Sequence, residues 1–309
     1  MISENQKHEI VALMDIEAKV LGSYNRLANK LQISSATISN NLRRPDNWGN
    51  VNDAMWVQVG KALGYKFSSS GWNVVETENY KIMRKVLTVA QEEAMFLAVS
   101  EKAGSGKTAS IKKYKNDDKT NAVYVLQCEE WSRRVFLLKL AQAVGLDLKN
   151  AGYVNVDVLG DKVVGVLKQK SAESLPLLVL DEADKLKPSA LRWLIHLYNK
   201  LEDEVGVVIA GTENLRKEIE TGVRKALKGY DELDSRFGRS FVRLVGCTRN
   251  DMGEVAKANG LVDDGQIERI WRDCKPTEVT RGGKYVQVIE DMRALKRKII
   301  AAVKLSGLS

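Results

Sequence analysis

The chain has 309 residues, of which 44% are hydrophobic and 28% are charged, a composition typical of globular proteins with two or three domains. No apolar run approaches the roughly 18 residues of a membrane helix, and the first residues lack a signal-peptide pattern, so we expect a cytoplasmic protein without a membrane partner. The three cysteines are far apart and lack metal-ligand spacing, which is typical of free thiols in an intracellular protein. The net charge of +8 favours an acidic partner such as nucleic acid.

Residues 1–66 are predicted to form a small all-α domain with a helix-turn-helix. Leu27 and Leu31 recur on one helical face, and Ile38 and Leu42 repeat four residues apart on the following helix. The pattern resembles the helix-turn-helix of phage repressors, whose second helix enters the major groove of DNA. The residues expected to contact DNA are Ser35, Ala36, Thr37, Asn40, Asn41 and Arg43. The alternative is a packing module of the same fold that binds no DNA.

A linker and a helix are predicted to separate this domain from the first core strand. Residues 64–75 are rich in serine and glycine, and residues 76–90 place apolar side chains at helical spacing. In nucleotide-binding ATPases a segment at this position often lines the adenine, which makes Val75 and Tyr80 candidates, with ordinary core packing as the alternative. The second domain is therefore expected to span residues 67–249.

The chain is organised around a loop of small residues that follows a predicted strand at 95–99 and opens a predicted helix. Backbone N–H groups of such a loop and of the helix N-terminus converge on one point and bind phosphate. Lys107 adds a positive charge towards the β- and γ-phosphates, and Thr108 offers its hydroxyl to Mg²⁺. A glycine usually begins this motif, and Glu101 stands there instead. The predicted cofactor-binding residues of the loop are Ala103, Gly104, Ser105, Gly106, Lys107, Thr108 and Ala109.

A second strand is predicted at 122–126, and two carboxylates end the apolar run of the third, at residues 177–180. Because this run is predicted to be a buried parallel strand, Asp181 and Glu182 are expected at the carboxyl edge of the sheet, where ligands bind. Asp181 is predicted to hold Mg²⁺, directly or through water, and Glu182 to activate the attacking water as a general base. An acidic strand end that only caps a helix is the alternative, which the phosphate loop upstream disfavours.

Polar and basic residues lie next to the last two predicted strands of the core. Thr212 and Asn214 follow a predicted strand at 205–210, and either side chain would orient the attacking water near the γ-phosphate. A basic helix then leads to a predicted fifth strand at 241–245, with Ser235-Arg236-Phe237-Gly238-Arg239 before it.

The C-terminal domain, residues 250–309, is predicted to be helical, with one long helix over 284–304. Residues 281–309 contain seven basic and two acidic side chains, a net charge of 7 − 2 = +5. This charge is consistent with a surface that contacts nucleic acid and equally with a solvated helix face.

Residues 75–309 resemble the AAA+ ATPases, on the strength of the phosphate loop, the Asp-Glu pair, the polar end of strand four and the arginine before strand five. The resemblance implies an α/β fold: a P-loop AAA+ core with a parallel five-stranded sheet, between the helix-turn-helix domain and a helical lid. It implies ATP and Mg²⁺ as cofactors and sensor 1 at Thr212. It also implies an arginine finger at Arg236, or failing that Arg239, which reaches the nucleotide of a neighbouring subunit.

One position departs from the pattern of the family. A second sensor arginine is expected three residues after a glycine, and Gly283 is followed at that distance by Val286. Either Arg281 or Lys284 takes over this role in cofactor binding, or the role is absent, in which case hydrolysis would be slow.

The order of helix-turn-helix, linker and AAA+ core resembles a narrower family, the AAA+ transposition regulators that include transposition protein B of phage Mu and, more distantly, TnsC. This resemblance implies an ATPase, stimulated by DNA or transposase, that forms helical oligomers on double-stranded DNA, selects a transposition target and activates a DDE-type transposase. Such a phage protein would act in the cytoplasm of a bacterial host, associated with the nucleoid. We expect contacts to DNA phosphates, without sequence preference, from Arg133, Arg134 and Lys149.

Three other functions share parts of these motifs. A sequence-specific transcription regulator would bind DNA through the helix-turn-helix and use the ATPase core only to switch its oligomeric state. A replicative helicase loader or initiator would share the core and differ in its partner. A nucleotide-binding protein without hydrolysis would explain the departures at Glu101 and Val286.

Overall fold

The computed structural model describes residues 4–63, 65, 72–146, 155–281 and 283–305. The chain divides between Trp72 and Asn73 into two units, each described separately below. This division falls inside the predicted linker, most of which lies outside the described residues. Within those ranges, every helix is too short or too polar to span a bilayer.

The first unit contains the predicted helix pair. Its elements are α1 (Glu4–Leu21), α2 (Tyr24–Leu31), α3 (Ser35–Thr37) continued by a π-helical turn (Ile38–Leu42), a 3₁₀ turn (Pro45–Asn50) and α4 (Asp53–Ala62). Leu27 and Ile38 are fully buried, as their spacing predicts. The hydroxyl of Ser34 accepts a hydrogen bond from the N–H of Thr37 at 3.0 Å and so caps α3. Gln32 takes the left-handed conformation at the turn, with φ 54°.

A parallel sheet forms the centre of the second unit. Its strands are β1 (Phe96–Ser100), β2 (Val123–Gln127), β3 (Leu177–Asp181) and β4 (Gly206–Gly211), in the order β1-β4-β3-β2. Leu178 and Leu180 face one hydrophobic cluster, and Leu177 and Val179 face another. Both faces of β3 are therefore buried, which explains its continuous apolar sequence.

Helices cover both faces of this sheet. On one side are α5 (Glu78–Glu92) and α6 (Lys107–Asp117). The other side is covered by α7 (Arg133–Ala143), α8 (Val156–Ser171), α9 (Pro188–Leu191), α10 (Trp193–Leu201), α11 (Glu213–Arg224) and α12 (Tyr230–Arg236), with a short 3₁₀ turn (Ala183–Lys185) after β3. The arrangement is a three-layer α/β fold, in which the carboxyl ends of the strands share one edge.

The predicted fifth strand is wrong in extent. Residues 241–245 make a single parallel bridge to β1, at Val242. The N–H of Leu244 then donates to Glu101 Oε2 at 3.2 Å, and Asn79 Oδ1 accepts the next two N–H groups at 2.8 and 3.0 Å. The sheet has four strands because side chains, rather than β1, take these backbone donors.

The C-terminal part of the second unit contains a small antiparallel sheet that the sequence did not predict. Its elements are β5 (Cys247–Thr248), α13 (Arg249–Ala258), α14 (Asp264–Asp273), β6 (Thr277–Arg281), β7 (Lys284–Ile289) and α15 (Met292–Leu305), with strand order β5-β7-β6. The long helix predicted from Lys284 therefore begins only at Met292. Exposed Tyr285 and Gln287 alternate with the more buried Val286 and Val288, which is the period of a strand.

Gly206, at the start of β4, has no room for a side chain. A Cβ there would lie 2.0 Å from the carbonyl oxygen of Ala90, a backbone atom that cannot rotate away. We expect Gly206→Ala to lower the free energy of unfolding by about 3 kcal/mol, measured by urea denaturation. The matched control is Gly165→Ala in α8, where a Cβ meets nothing within 4 Å and helix propensity favours alanine. Equal stability of Gly206→Ala and the parent chain would contradict this packing.

Candidate nucleotide-binding site

Three strand ends bring the predicted site residues together. In the sheet, Ser100 pairs with Gly211, and Asp181 pairs with both Ala210 and Gln127. The loop after β1, the acidic end of β3 and the polar end of β4 therefore meet at one edge. This is the edge at which ligands bind in parallel α/β sheets.

The loop after β1 has the backbone of a phosphate cradle. Gly104 and Gly106 adopt φ values of 86° and 93°, which glycine reaches without strain, and Gly106 caps the N-terminus of α6. Lys107 is buried, and its ammonium donates to the carbonyl of Glu101 at 2.7 Å and to Ser105 Oγ at 3.0 Å. Burial lowers the pKa of Lys107. The loop thus concentrates N–H donors and one lysine at a helix N-terminus, as an anion site requires.

Thr108 and Asp181 lie in contact, as a shared magnesium site requires. Thr108 Oγ1 donates to Asp181 Oδ2 at 2.7 Å, and the carboxylate is 3% exposed. The pKa of Asp181 is raised, mainly because the side chain is buried. The hydrogen bond from Thr108 acts in the opposite direction and lowers the pKa. Elsewhere in the described ranges, no three His, Cys, Asp or Glu side chains cluster as a metal site. A hydroxyl and one carboxylate suit Mg²⁺, which takes most other ligands from phosphates and water.

Glu182 follows Asp181 with its carboxylate held by two neighbours. Lys185 Nζ donates to Glu182 Oε2 at 2.7 Å, and Gln127 Nε2 donates to the same oxygen at 3.3 Å. The hydrogen bond from Lys185 is the main cause of a lowered pKa at Glu182, so the carboxylate is ionised at neutral pH. The backbone of Glu182 is left-handed, with φ 57°, which marks a sharp turn out of the strand. An ionised carboxylate at this edge is suited to accept a proton from water.

Thr212 is tied to the acidic segment by a residue that the sequence analysis did not single out. Asp184 accepts from the Thr212 N–H at 3.1 Å and from its hydroxyl at 2.7 Å. A Cβ at Gly211 would lie 2.7 Å from the same carboxylate, so the neighbouring glycine allows this contact. Asn214 is exposed in the first turn of α11. Its N–H donates to the hydroxyl of Thr212, which caps the helix. The structure therefore connects Thr212 directly with the end of β3.

Glu101, the departure from the usual motif, has a structural role. Besides accepting from Leu244, its carboxylate accepts from the N–H of Lys102 at 3.0 Å, and its carbonyl accepts from Lys107. The side chain thus fixes the start of the loop and the segment after Val242, and the positive φ values of the two loop glycines are retained.

The C-terminal sheet and α15 also contact the phosphate loop, a contribution that the sequence pattern did not predict. Lys102 forms an ion pair with Glu290 at 2.8 Å, and the N–H of Met292 donates to Gly104 O at 2.9 Å. Asp291 caps α15 and approaches Gly104 so closely that a Cβ there would lie 2.4 Å from its Oδ1. The segment between β7 and α15 therefore rests on the phosphate loop.

Arg293, in the first turn of α15, acts electrostatically on two site residues. Burial is the main cause of the lowered pKa of Lys107, and the charge of Arg293 adds to it. At Glu182 the bond from Lys185 is the main cause, and Arg293 again contributes. Arg293 is exposed in the first turn of α15, and its charge acts on both of these residues.

Arg281 and Lys284 lie at the turn of the C-terminal hairpin, and their role in cofactor binding stays a prediction. They end β6 and begin β7, and they pair with each other across the hairpin. From Lys284 to Glu290 the chain is extended over six residues, roughly 20 Å at the rise of a strand.

Arg236 is the last residue of α12, and Arg239 lies three residues further on. Both form ion pairs with acidic residues of this helix. Arg236 stacks on Tyr198, 4.7 Å from the ring centre, and pairs with Glu232 at 3.5 Å. Arg239 pairs with Asp231 at 2.9 Å. Both guanidinium groups are therefore engaged by side chains of their own chain.

The residues predicted to bind DNA have mixed surroundings. Arg133 is half-exposed and forms a close ion pair with Asp157. Arg134 also has a partner, and Lys149 lies outside the described residues. In the first unit, the hydroxyl of Thr37 bonds to Ser34, and Arg43 stacks on Tyr24. The exposed side chains on this helical segment are Ser35, Ala36, Ser39 and Asn40, with Arg43 next to it and Asn41 half-buried.

Comparison with known proteins agrees with this geometry. Residues 90–219 match the family model described as an AAA domain. The structure resembles the crystal structure of Cdc6p from Pyrobaculum aerophilum, with a TM-score of 0.53 and 17% identity over 78% of this chain and 66% of that one. The Aeropyrum pernix ORC1 protein in complex with DNA gives a TM-score of 0.49 and 14% identity, over 79% and 63% of the two chains. No curated protein matches this sequence.

The chain spans just under two thirds of the length of these two solved structures. The predicted fold class is confirmed: the second unit has the α/β AAA+ fold, with four strands in its parallel sheet instead of five. The family match covers β1 to α11, which include the phosphate loop, Asp181, Glu182 and Thr212.

Proposed function

We propose that this protein is an ATPase whose nucleotide state controls its assembly on double-stranded DNA. The observation that carries the proposal is the contact of Thr108 with Asp181, beside buried Lys107 and ionised Glu182, at the carboxyl edge of an AAA+ sheet. Each member of this group has a role in phosphoryl transfer to water, and they lie on two separate segments of the chain. Chance proximity does not explain such a set.

Each residue of the site would have a distinct role in the hydrolysis of ATP. Bound ATP and Mg²⁺ would supply the transferred phosphoryl group and the divalent charge that stabilises it. Lys107 and the N–H groups from Gly104 to Thr108 would bind the phosphates, and Thr108 with Asp181 would hold the metal. Glu182 would take a proton from the attacking water, for which it must leave Lys185 and Gln127. The paired state of Glu182 supports slow basal turnover.

The net charge and the order of the domains support the proposed oligomer and its DNA partner. The excess of eight positive charges favours a polyanion, and a compact helix-turn-helix unit precedes the ATPase unit. We propose that Arg236 or Arg239 exchanges its acidic partner on α12 for the nucleotide of a neighbouring subunit. Assembly would then require ATP, and DNA binding would be largely independent of sequence.

Target selection for transposition and activation of a DDE-type transposase are the most specific part of the proposal. They rest on the resemblance in motif order to the AAA+ transposition regulators of transposable phages. The exposed Ser35 and Asn40 favour the second candidate, a transcription regulator that reads DNA through its first unit. A replicative helicase loader or initiator would use the same ATPase core with a different partner.

Electron microscopy with duplex DNA tests the proposal. We expect helical filaments with ATP and none with ADP or without nucleotide, because only ATP would engage the arginine of the neighbouring subunit. The same grids without DNA control for assembly that is independent of the nucleic acid. Filaments that form equally under all nucleotide conditions, or discrete particles at specific sequences only, would contradict it.

A further inference from the structure

One buried side chain, Asn79, joins the phosphate loop to the point where the chain enters the C-terminal sheet. Asn79 lies in the first turn of α5 and is 5% exposed. It does not cap the helix, since Thr77 does so by accepting from the N–H of Tyr80. A carboxamide buried to this extent must find partners, because an unpaired buried amide destabilises the fold.

The amide of Asn79 fixes a peptide unit of the phosphate loop. Asn79 Nδ2 donates to the carbonyl oxygen of Ser105 at 3.0 Å. The peptide between Ser105 and Gly106 is planar and trans, so its carbonyl and its N–H point in opposite directions. With the carbonyl held against α5, the N–H of Gly106 is directed away from α5. This hydrogen bond matters because the flanking glycines allow the peptide to rotate easily.

The oxygen of the same amide accepts hydrogen bonds from the backbone at the crossing where the chain passes from its bridge with β1 to the C-terminal sheet. Asn79 Oδ1 accepts from the N–H of Val245 at 2.8 Å and from that of Gly246 at 3.0 Å. These two residues lie between the bridge to β1 at Val242 and the first residue of β5. Gly246 has φ 103°, and a Cβ there would lie 2.7 Å from Val288 of β7, so this crossing is packed tightly against the C-terminal sheet.

We propose that Asn79 is a positioning residue for nucleotide binding, which couples the phosphate loop to the C-terminal sheet and α15 through one carboxamide. This inference rests on the proposed binding of ATP. Asn79 touches no phosphate itself: it acts through the Ser105–Gly106 peptide on one side and through Val245 and Gly246 on the other. A change in the loop on nucleotide binding is therefore transmitted to the chain segment that carries β5.

The variant Asn79→Asp separates the two halves of this role. An aspartate keeps the acceptor for Val245 and Gly246 and loses the donor to Ser105. We expect the Kd for a fluorescent ADP analogue and the KM for ATP to rise about tenfold or more, as for the loss of a hydrogen bond to a buried carbonyl. The kcat at saturating ATP is expected to stay within about threefold, since the loss falls on binding common to ground and transition states.

The matched control is Asn73→Asp. Asn73 Nδ2 donates to the carbonyl of Ala258 at 2.6 Å, so the variant loses the same kind of bond in the same segment without contacting the phosphate loop. Its Kd for the ADP analogue is expected to match that of the parent chain. Circular dichroism checks that both variants are folded. A folded Asn79→Asp chain with lowered thermal stability and unchanged Kd would overturn the assignment and show a merely structural role.

Hydrogen exchange on the unaltered chain tests the coupling even if the variants fail to fold. ADP is expected to slow exchange of the Val245 and Gly246 amides, because a fixed loop holds Asn79 in place. Unchanged exchange at these amides on ADP binding would overturn the coupling alone. A parent chain that binds neither ADP nor ATP would instead overturn the proposed function.

Discussion

Replacing Glu182 with glutamine is expected to slow phosphate release by about 10²–10⁴-fold while nucleotide binding is retained. Glutamine has nearly the same shape, so the turn after β3 and the neighbouring Asp181 would be preserved. It cannot take a proton from water, whereas the carboxylate of Glu182 is kept ionised mainly by Lys185. The change therefore removes one chemical function and leaves the binding groups of the phosphate loop in place.

The measurement is single-turnover phosphate release beside the Kd of a fluorescent ATP analogue. Glu130→Gln provides a matched control, because Glu130 is an exposed carboxylate in the loop after β2. Its rate is expected to equal that of the parent chain. If the parent chain and Glu182→Gln release phosphate equally slowly, the protein binds nucleotide without hydrolysing it and the enzymatic proposal fails.

Removal of residues 1–72 is expected to leave ATP-dependent DNA binding in place. The second unit, residues 73–309, has its own core and contains the residues of the candidate nucleotide site described above. Assembly on DNA would join many weak phosphate contacts, so ATP is expected to tighten binding to a random duplex by about 10²-fold or more over ADP. Because each contact releases counterions, affinity is expected to fall about 10³-fold between roughly 50 and 200 mM salt.

Fluorescence anisotropy with labelled duplexes measures both effects. The full chain is titrated beside the truncated one, with ATP, ADP and no nucleotide, on two unrelated sequences. Loss of binding on truncation, together with preference for one sequence, would favour the transcription regulator. Equal affinity with and without nucleotide would exclude assembly controlled by ATP.

The core of the site could be predicted because its residues lie in short stretches whose local chemistry is distinctive. The glycines around Lys107 and the apolar run before Asp181 each specify a strand end, and parallel strands place their carboxyl ends at one edge. Contacts such as Thr108 with Asp181, 73 positions apart, then follow from the fold class. Burial on both faces made β3 and β4 easy to recognise.

The errors arose where distant side chains decide the conformation. The apolar residues 241–245 have the composition of a strand, and the carboxylate of Glu101 and the amide of Asn79 stop the ladder. Neither partner is near this segment in the sequence. The hairpin of β6 and β7 was hidden by a basic composition that also suits a helix, so the last helix was predicted to begin at Lys284 instead of Met292.

The shortened contact at Val242 has a consequence for how copies of the chain can meet. An open strand edge invites another chain to add a strand through backbone hydrogen bonds, the route to aggregation. At β1 the chain around Val242 bridges the edge, and the charged Glu101 follows directly. At β2, the opposite edge, the strand is only five residues long. The two edges of the parallel sheet therefore offer little surface for backbone pairing, and we expect the proposed assembly of copies not to extend this sheet.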